Sequence, residues 1–165
     1  MEIIEKNGDL LNEKCDIICH QVNCQGVMGS GIALQIKNKW PKVYQEYYNY
    51  LEFLKTCKIP LLGRCNIVNI KEYNDNIDWV CNFYAQYFYG TDKRHTDYVA
   101  FEKSLLFLKD TVRLDYEKEG KHCVIGFPYK IGCDRGGGDW NIIKDMILKT
   151  FNNVDCTIKI VKWNG

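Results

Sequence analysis

The chain has 165 residues, with 22 basic and 21 acidic side chains and a formal net charge of +1. This length supports one domain, residues 1–165, with a proper core, and is too short for two. Near-neutral charge gives no electrostatic case for broad nucleic-acid binding, and no apolar run reaches membrane-spanning length.

Residues 2–6, Glu-Ile-Ile-Glu-Lys, read as an edge strand rather than a signal peptide. Further strand character, rich in Ile, Val and aromatics, falls at 16–22, 65–71, 78–83, 122–127 and 157–163. Helical patterns lie between these runs. One spans 31–39, and Pro41 sits where the next helix begins. Residues 42–55 carry a stripe of Val43, Tyr47, Tyr50, Leu51 and Leu54. The spacing predicts two more helices, over 96–115 and 139–151. Strands alternating with helices predict an α/β protein with a central sheet covered on both faces. Asp75-Asn76 separates two strand runs directly, so that pair is expected as a hairpin and the sheet as mixed.

The nine cysteines are an odd count, show no C-x-x-C pair and sit largely within apolar strand runs. They read as small hydrophobes in a reducing cytoplasm, not as disulfides or a zinc site. No metal or cofactor is expected.

Two loops carry the functional signal. The apolar run at 17–19 breaks into Asn23-Cys24-Gln25-Gly26-Val27-Met28-Gly29-Ser30-Gly31-Ile32-Ala33 and resumes as a helix. The run Val124-Ile125-Gly126-Phe127 likewise leads through Ile131-Gly132-Cys133-Asp134-Arg135-Gly136-Gly137-Gly138-Asp139-Trp140 into a helix. Glycines let backbone N–H groups approach an anion, and a helix N-terminus adds positive potential. One such cluster is as well read as a tight turn. Two, each between strand and helix, point to a diphosphate gripped from both sides. Leu34 replaces the third glycine of a dinucleotide fingerprint, and no lysine-serine or lysine-threonine pair closes either loop, which excludes a triphosphate P-loop.

The first loop, preceded by Gly8-Asp9-Leu10, resembles the ADP-ribose-binding macrodomains. The branch it is similar to contains terminal ADP-ribose protein glycohydrolase, the ADP-ribose-1''-phosphate phosphatases and the macrodomains of DNA-ADP-ribosylation antitoxins. The resemblance runs from Ile3 to Trp163 and implies a three-layer α/β/α macrodomain with a central mixed sheet. It implies that Asp9, beside Leu10, accepts a hydrogen bond from the adenine amine, and that Trp163 stacks on adenine or packs. Asn23 is implied at the distal ribose. Gly26, Val27, Met28, Gly29, Gly31 and Ile32 are implied around the distal ribose and diphosphate, through backbone amides. Ile131, Gly132, Cys133, Gly136, Gly137 and Gly138 are implied as the opposing clamp, with Met28 and Cys133 as apolar lids.

For chemistry, Asp139 suits water activation as well as a helix cap, two roles that can coexist. His20 matches a strand-end histidine of the phosphatase branch. The glycohydrolase relatives use a nucleophilic lysine where Gln86 or Tyr87 stands here, and their partner aspartate falls at Gly136. Arg94 and His95, in the segment that follows, are candidate contacts to a terminal phosphate. The implied activity is hydrolysis of ADP-ribose conjugates: an ester on acidic side chains or acetate, or ADP-ribose-1''-phosphate. A reader that binds without turnover and a DNA ADP-ribosyl glycohydrolase are the alternatives. The implied partners are ADP-ribose or an ADP-ribosylated protein, with nucleic acid only as ADP-ribosylated substrate, no membrane, and a monomeric chain.

Overall fold

The computed structural model describes residues 1–163. Six strands, β1 (Glu2–Asn7), β2 (Cys15–Val22), β3 (Cys65–Asn69), β4 (Ile77–Tyr84), β5 (Cys123–Pro128) and β6 (Cys156–Lys162), form one sheet in the order β1-β6-β5-β2-β4-β3. Every neighbouring pair is parallel except β3 and β4, which form the expected hairpin. The sheet is mixed, as the sequence predicts.

Alternation along β2 divides the core. Ile17 and Cys19 face one way, towards α3 (Tyr98–Asp115) and α4 (Trp140–Phe151), where Phe101, Leu105, Leu108, Ile143 and Ile147 pack. Ile18 and Val22 face the other way, towards α1 (Gly31–Lys39) and α2 (Pro41–Thr56), with Val43, Tyr47, Leu51 and Leu54. The second group is the stripe read from the helical periodicity of residues 42–55, and together the two groups bury both faces of the sheet.

Two boundaries differ from expectation. The strand run from 65 stops at Asn69, because Ile70 donates to the Asp78 carbonyl and a single 3-10 turn, Lys71–Tyr73, follows. Helix α3 starts at Tyr98 instead of Thr96. Asp97 caps it by accepting from the Ala100 amide at 2.9 Å, while Thr96 is held in an isolated bridge with Gln86.

All nine cysteines are free thiols and seven are buried. Burial pushes the Cys15 and Cys24 thiols up to about 12, so they remain protonated and inert. Among the described residues no helix is long and apolar enough to cross a membrane. The carboxyl ends of β1, β6, β5, β2 and β4 lie along one edge, where open α/β sheets place their ligands.

Candidate ligand-binding site

At that edge lies a cavity of about 660 Å³, within the range of small-molecule and cofactor sites. Its walls come from the ends of β1 and β6, from the loop between β2 and α1, and from the loop between β5 and α4.

The β2–α1 loop is shaped by tyrosines rising from α2. The buried Tyr47 hydroxyl donates towards Asn23, 2.8 Å from its carbonyl and 2.9 Å from Oδ1, and accepts from the Gly26 amide at 3.0 Å. Tyr44 donates to the Gly26 carbonyl at 2.8 Å. Gly26 is therefore pinned from both sides at φ +81°, a left-handed conformation that suits glycine. It shapes the loop and stands outside the cavity lining. Asn23 does line it. Its Nδ2 donates to the Val27 carbonyl at 2.8 Å, leaving one N–H of the amide for a ligand.

Beyond Gly26 the chain turns its backbone outward. Among the described residues the amides from Met28 to Ile32 donate to no intrachain acceptor, while the Val27 amide, like that of Gly26, is turned towards the Tyr47 hydroxyl. Val27, Met28, Gly29, Gly31 and Ile32 line the cavity, with Met28 at 1% exposure. The free amides stand at the N-terminus of α1, so unpaired donors and helix dipole act on the same spot.

The β5–α4 loop supplies the facing wall through Ile131, Gly132 and Gly136. Gly132 sits at φ +73°, and its carbonyl accepts from the Gly138 amide at 2.9 Å. Gly137, Gly138 and Cys133, also expected as contacts, stand outside the cavity lining. Gly138 closes the loop on itself, since a Cβ there would lie 2.8 Å from the Gly132 oxygen. Gly137 packs against the Arg94 backbone, where a Cβ would lie 3.1 Å from Cα. The Cys133 thiol turns away from the cavity towards the Ile131 carbonyl, and burial pushes it up to about 11.

At the opposite end Asp9, Leu10 and Trp163 meet, because β1 and β6 are neighbours and the Gly8 amide donates to the Lys162 carbonyl. Asp9 accepts from the Leu11 amide and from Asn12 Nδ2, which fixes its carboxylate in place. Trp163 is 59% exposed and offers an open ring to the cavity.

The two catalytic candidates are not in the cavity wall. His20 is fully buried on the α1/α2 side of the sheet, sharing that face with Ile18 and Val22, and its Nε2 meets Asn82 Oδ1. Burial lowers its pKa to about 4, against the opposing pull of the Asn82 hydrogen bond, so the ring is neutral. Asp139 is exposed and caps α4 by accepting from the Asn141 amide at 2.9 Å. The cap engages one of its two carboxylate oxygens, and the residue stands outside the cavity lining.

Other residues that line the cavity were not singled out from the sequence as contacts. Gln21 and Gln86 approach each other under the first loop, with Gln21 Nε2 donating to Gln86 Oε1 at 2.7 Å. Tyr89 and Tyr129 add aromatic walls, and Lys130 and Arg135 add positive charge. Asp9 and Asp134 are the lining carboxylates among the described residues. Arg94 and His95 do not line it. Arg94 stacks on Tyr98, and His95 contacts Asp92 at 2.8 Å. No group of three or more metal-ligating side chains occurs among the described residues.

In this three-layer α/β/α domain the two glycine loops face each other across one cleft at the strand ends, where open α/β sheets place their ligands. Comparison with known proteins gives that class its name: the chain has the macrodomain fold. It superposes on the macrodomain of Mycobacterium tuberculosis DarG with a TM-score of 0.77, at 22% identity, covering 99% of this chain and 98% of that one. It also superposes on Thermosipho africanus DarTG in complex with ADP-ribose, with a TM-score of 0.73 at 20% identity over 94% of this chain and 40% of that one. In sequence, DNA ADP-ribosyl glycohydrolase of Mycobacterium tuberculosis is 25% identical over 150 residues, 90% of this chain. The chain spans only 38% of that relative's length. An ADP-ribose 1''-phosphate phosphatase of Saccharomyces cerevisiae is 30% identical over 86 residues, 51% of this chain and 46% of the relative. No family model matches the chain.

Proposed function

We propose that this chain binds ADP-ribose in the cavity and hydrolyses ADP-ribose conjugates. The observation that carries the reading is the convergence of two glycine loops on one cleft, with Asp9 and Trp163 closing one end and Asn23 and Gln86 the other. Adenosine lies by Asp9 and Trp163, the diphosphate takes the free amides of Met28–Ile32 against Gly132 and Gly136, and the distal ribose meets Asn23. Curated relatives whose names specify ADP-ribosyl glycohydrolase or ADP-ribose 1''-phosphate phosphatase activity support the same chemistry.

Catalysis in this reading is positioning plus electrostatics. Backbone donors already aimed at the diphosphate require no reorganisation when charge develops, and fixing the distal ribose converts attack by water into an effectively unimolecular step. Water adds its oxygen at the scissile centre, and the acceptor group leaves with the water's proton. The glycohydrolase, ester hydrolase and phosphatase readings differ only in what leaves. The chain acts as a single unit and a monomer, in a reducing compartment where its free cysteines stay reduced.

The test is incubation with three conjugates: ADP-ribose on glutamate, ADP-ribose on thymidine in single-stranded DNA, and ADP-ribose-1''-phosphate. Release of free ADP-ribose from one of them is expected. Release from none, alongside tight ADP-ribose binding, selects a second reading, a module that holds ADP-ribose without turnover. That reading is favoured by one arrangement: Asp139 and His20 lie outside the cavity wall, and an amide, Gln86, lines it.

A further inference from the structure

We propose that Thr96 is a positioning residue, held in place by Gln21, that sets the shape of the second glycine loop and ties that loop to Gln86. The proposal rests on the ADP-ribose reading of the cavity. Thr96 lies in neither loop and does not line the cavity, yet it is only 2% exposed.

Thr96 grips both glycines through which the second loop lines the cavity. Its hydroxyl donates to the Gly132 carbonyl at 2.6 Å, and its amide donates to the Gly136 carbonyl at 3.0 Å. The fit has no slack: a Cβ on Gly136 would lie 2.3 Å from Thr96 Oγ1, and one on Gly132 would lie 3.3 Å from it. The loop is seated on this hydroxyl: its closeness requires glycine at 136, while glycine at 132 is required by its φ of +73° and by Gln21 Oε1, 2.8 Å from where a Cβ would stand.

The direction of the hydrogen bonds is fixed by elimination. Gln86 Nε2 donates to the Phe88 carbonyl, so Gln86 must turn its Oε1 towards Gln21. Gln21 must therefore present Nε2, which donates to Gln86 Oε1 and, at 2.8 Å, to Thr96 Oγ1. Having accepted that bond, the Thr96 hydroxyl gives its single proton to Gly132. The reverse orientation of the Gln21 amide would set two carbonyl oxygens face to face. The chosen orientation leaves Gln21 Oε1 buried and without a donor, a cost the protein accepts to keep the chain running from Gln21 to Gly132. The isolated bridge between Gln86 and Thr96 closes the circuit through the backbone. The phosphate-gripping loop and the amide facing the distal ribose thus share one anchor.

The experiment compares Thr96→Val, which keeps shape and loses the hydroxyl, with Thr96→Ser, which restores it. ADP-ribose binding is measured by calorimetry, and binding of adenosine, which lacks phosphates, by NMR titration. Thr96→Val should weaken ADP-ribose roughly 5- to 30-fold, the effect of one or two lost hydrogen bonds. Adenosine should be unaffected, and Thr96→Ser should bind ADP-ribose nearly as wild type does. If Thr96→Val proves unfolded by circular dichroism, Gln21→Met, which removes both donations of that amide, is held to the same ligand comparison. The proposal is overturned if the folded variant binds ADP-ribose normally, if both ligands weaken alike, or if serine rescues no better than valine. A wild-type protein that binds adenosine but gains nothing from the diphosphate and ribose removes the underlying reading as well.

Discussion

Replacing Tyr47 by phenylalanine removes one oxygen atom and leaves the ring and its packing in place. That oxygen lies 2.8 Å from the Asn23 carbonyl and 2.9 Å from Asn23 Oδ1, and it accepts from the Gly26 amide at 3.0 Å. The substitution leaves a donor at Gly26 and an acceptor at Asn23 without their partner in a site from which water is largely excluded. At roughly 1–2 kcal/mol for each stranded group, the cost is about 2–4 kcal/mol. For a chain of this length that corresponds to a fall in melting temperature of roughly 5–12 °C. Because the same bonds hold the start of the amide-bearing loop, ADP-ribose affinity should drop about tenfold under conditions where the variant stays folded. Thermal unfolding followed by circular dichroism, with calorimetric titration at low temperature, reads both effects. A melting temperature within about 2 °C of wild type, with unchanged affinity, would refute this account of how α2 shapes the loop.

Gly136→Ala should nearly abolish ADP-ribose binding while Gly120→Ala does not, since a Cβ at 136 meets Thr96 Oγ1 at 2.3 Å and one at 120 meets nothing within 4 Å. Equal affinities for the two variants would contradict the tight seating of the loop. Asp139→Asn preserves the cap and should leave hydrolysis within about twofold, whereas Asp139→Ala should cost about 1 kcal/mol of stability; a large rate loss in the asparagine variant would restore a catalytic role. His20 takes up a proton in the unfolded chain near pH 6.5 but in the folded chain only near 4. The unfolded state therefore binds more protons between these values, so stability is complete above pH 6.5 and falls as pH drops towards 4, by up to about 3 kcal/mol. Urea melts across that range should lose this slope in His20→Gln, and an unaltered slope would contradict the assignment.

The strands, the helical stripes and the hairpin were legible because each rests on a short-range period that burial enforces. Both glycine loops were legible for a similar reason: strand, glycines and helix follow one another in the chain. What escaped depends on which way a side chain points. His20 stands next to Gln21 in sequence, yet the alternation of β2 sends His20 under α1 and α2 with Ile18 and Val22 and sends Gln21 towards the second loop. Applied strictly to β2, the period of two carries that signal. Asp139 combines a capping position with a plausible catalytic one, and the chain alone does not reveal that its carboxylate turns back to Asn141. The helical period alone places Thr96 at a helix start. Its contacts with Gly132 and Gly136 join segments about forty residues apart, beyond the reach of any local pattern.

The most direct test is an amide NMR titration of the isotope-labelled protein with ADP-ribose. Resonances of Val27–Ile32 and of Gly132 and Gly136 should shift together along one saturating curve, with the Trp163 indole moving at the same ligand concentrations. Shifts confined to one loop, or none at millimolar ADP-ribose, would contradict a single cleft that grips the diphosphate from both sides.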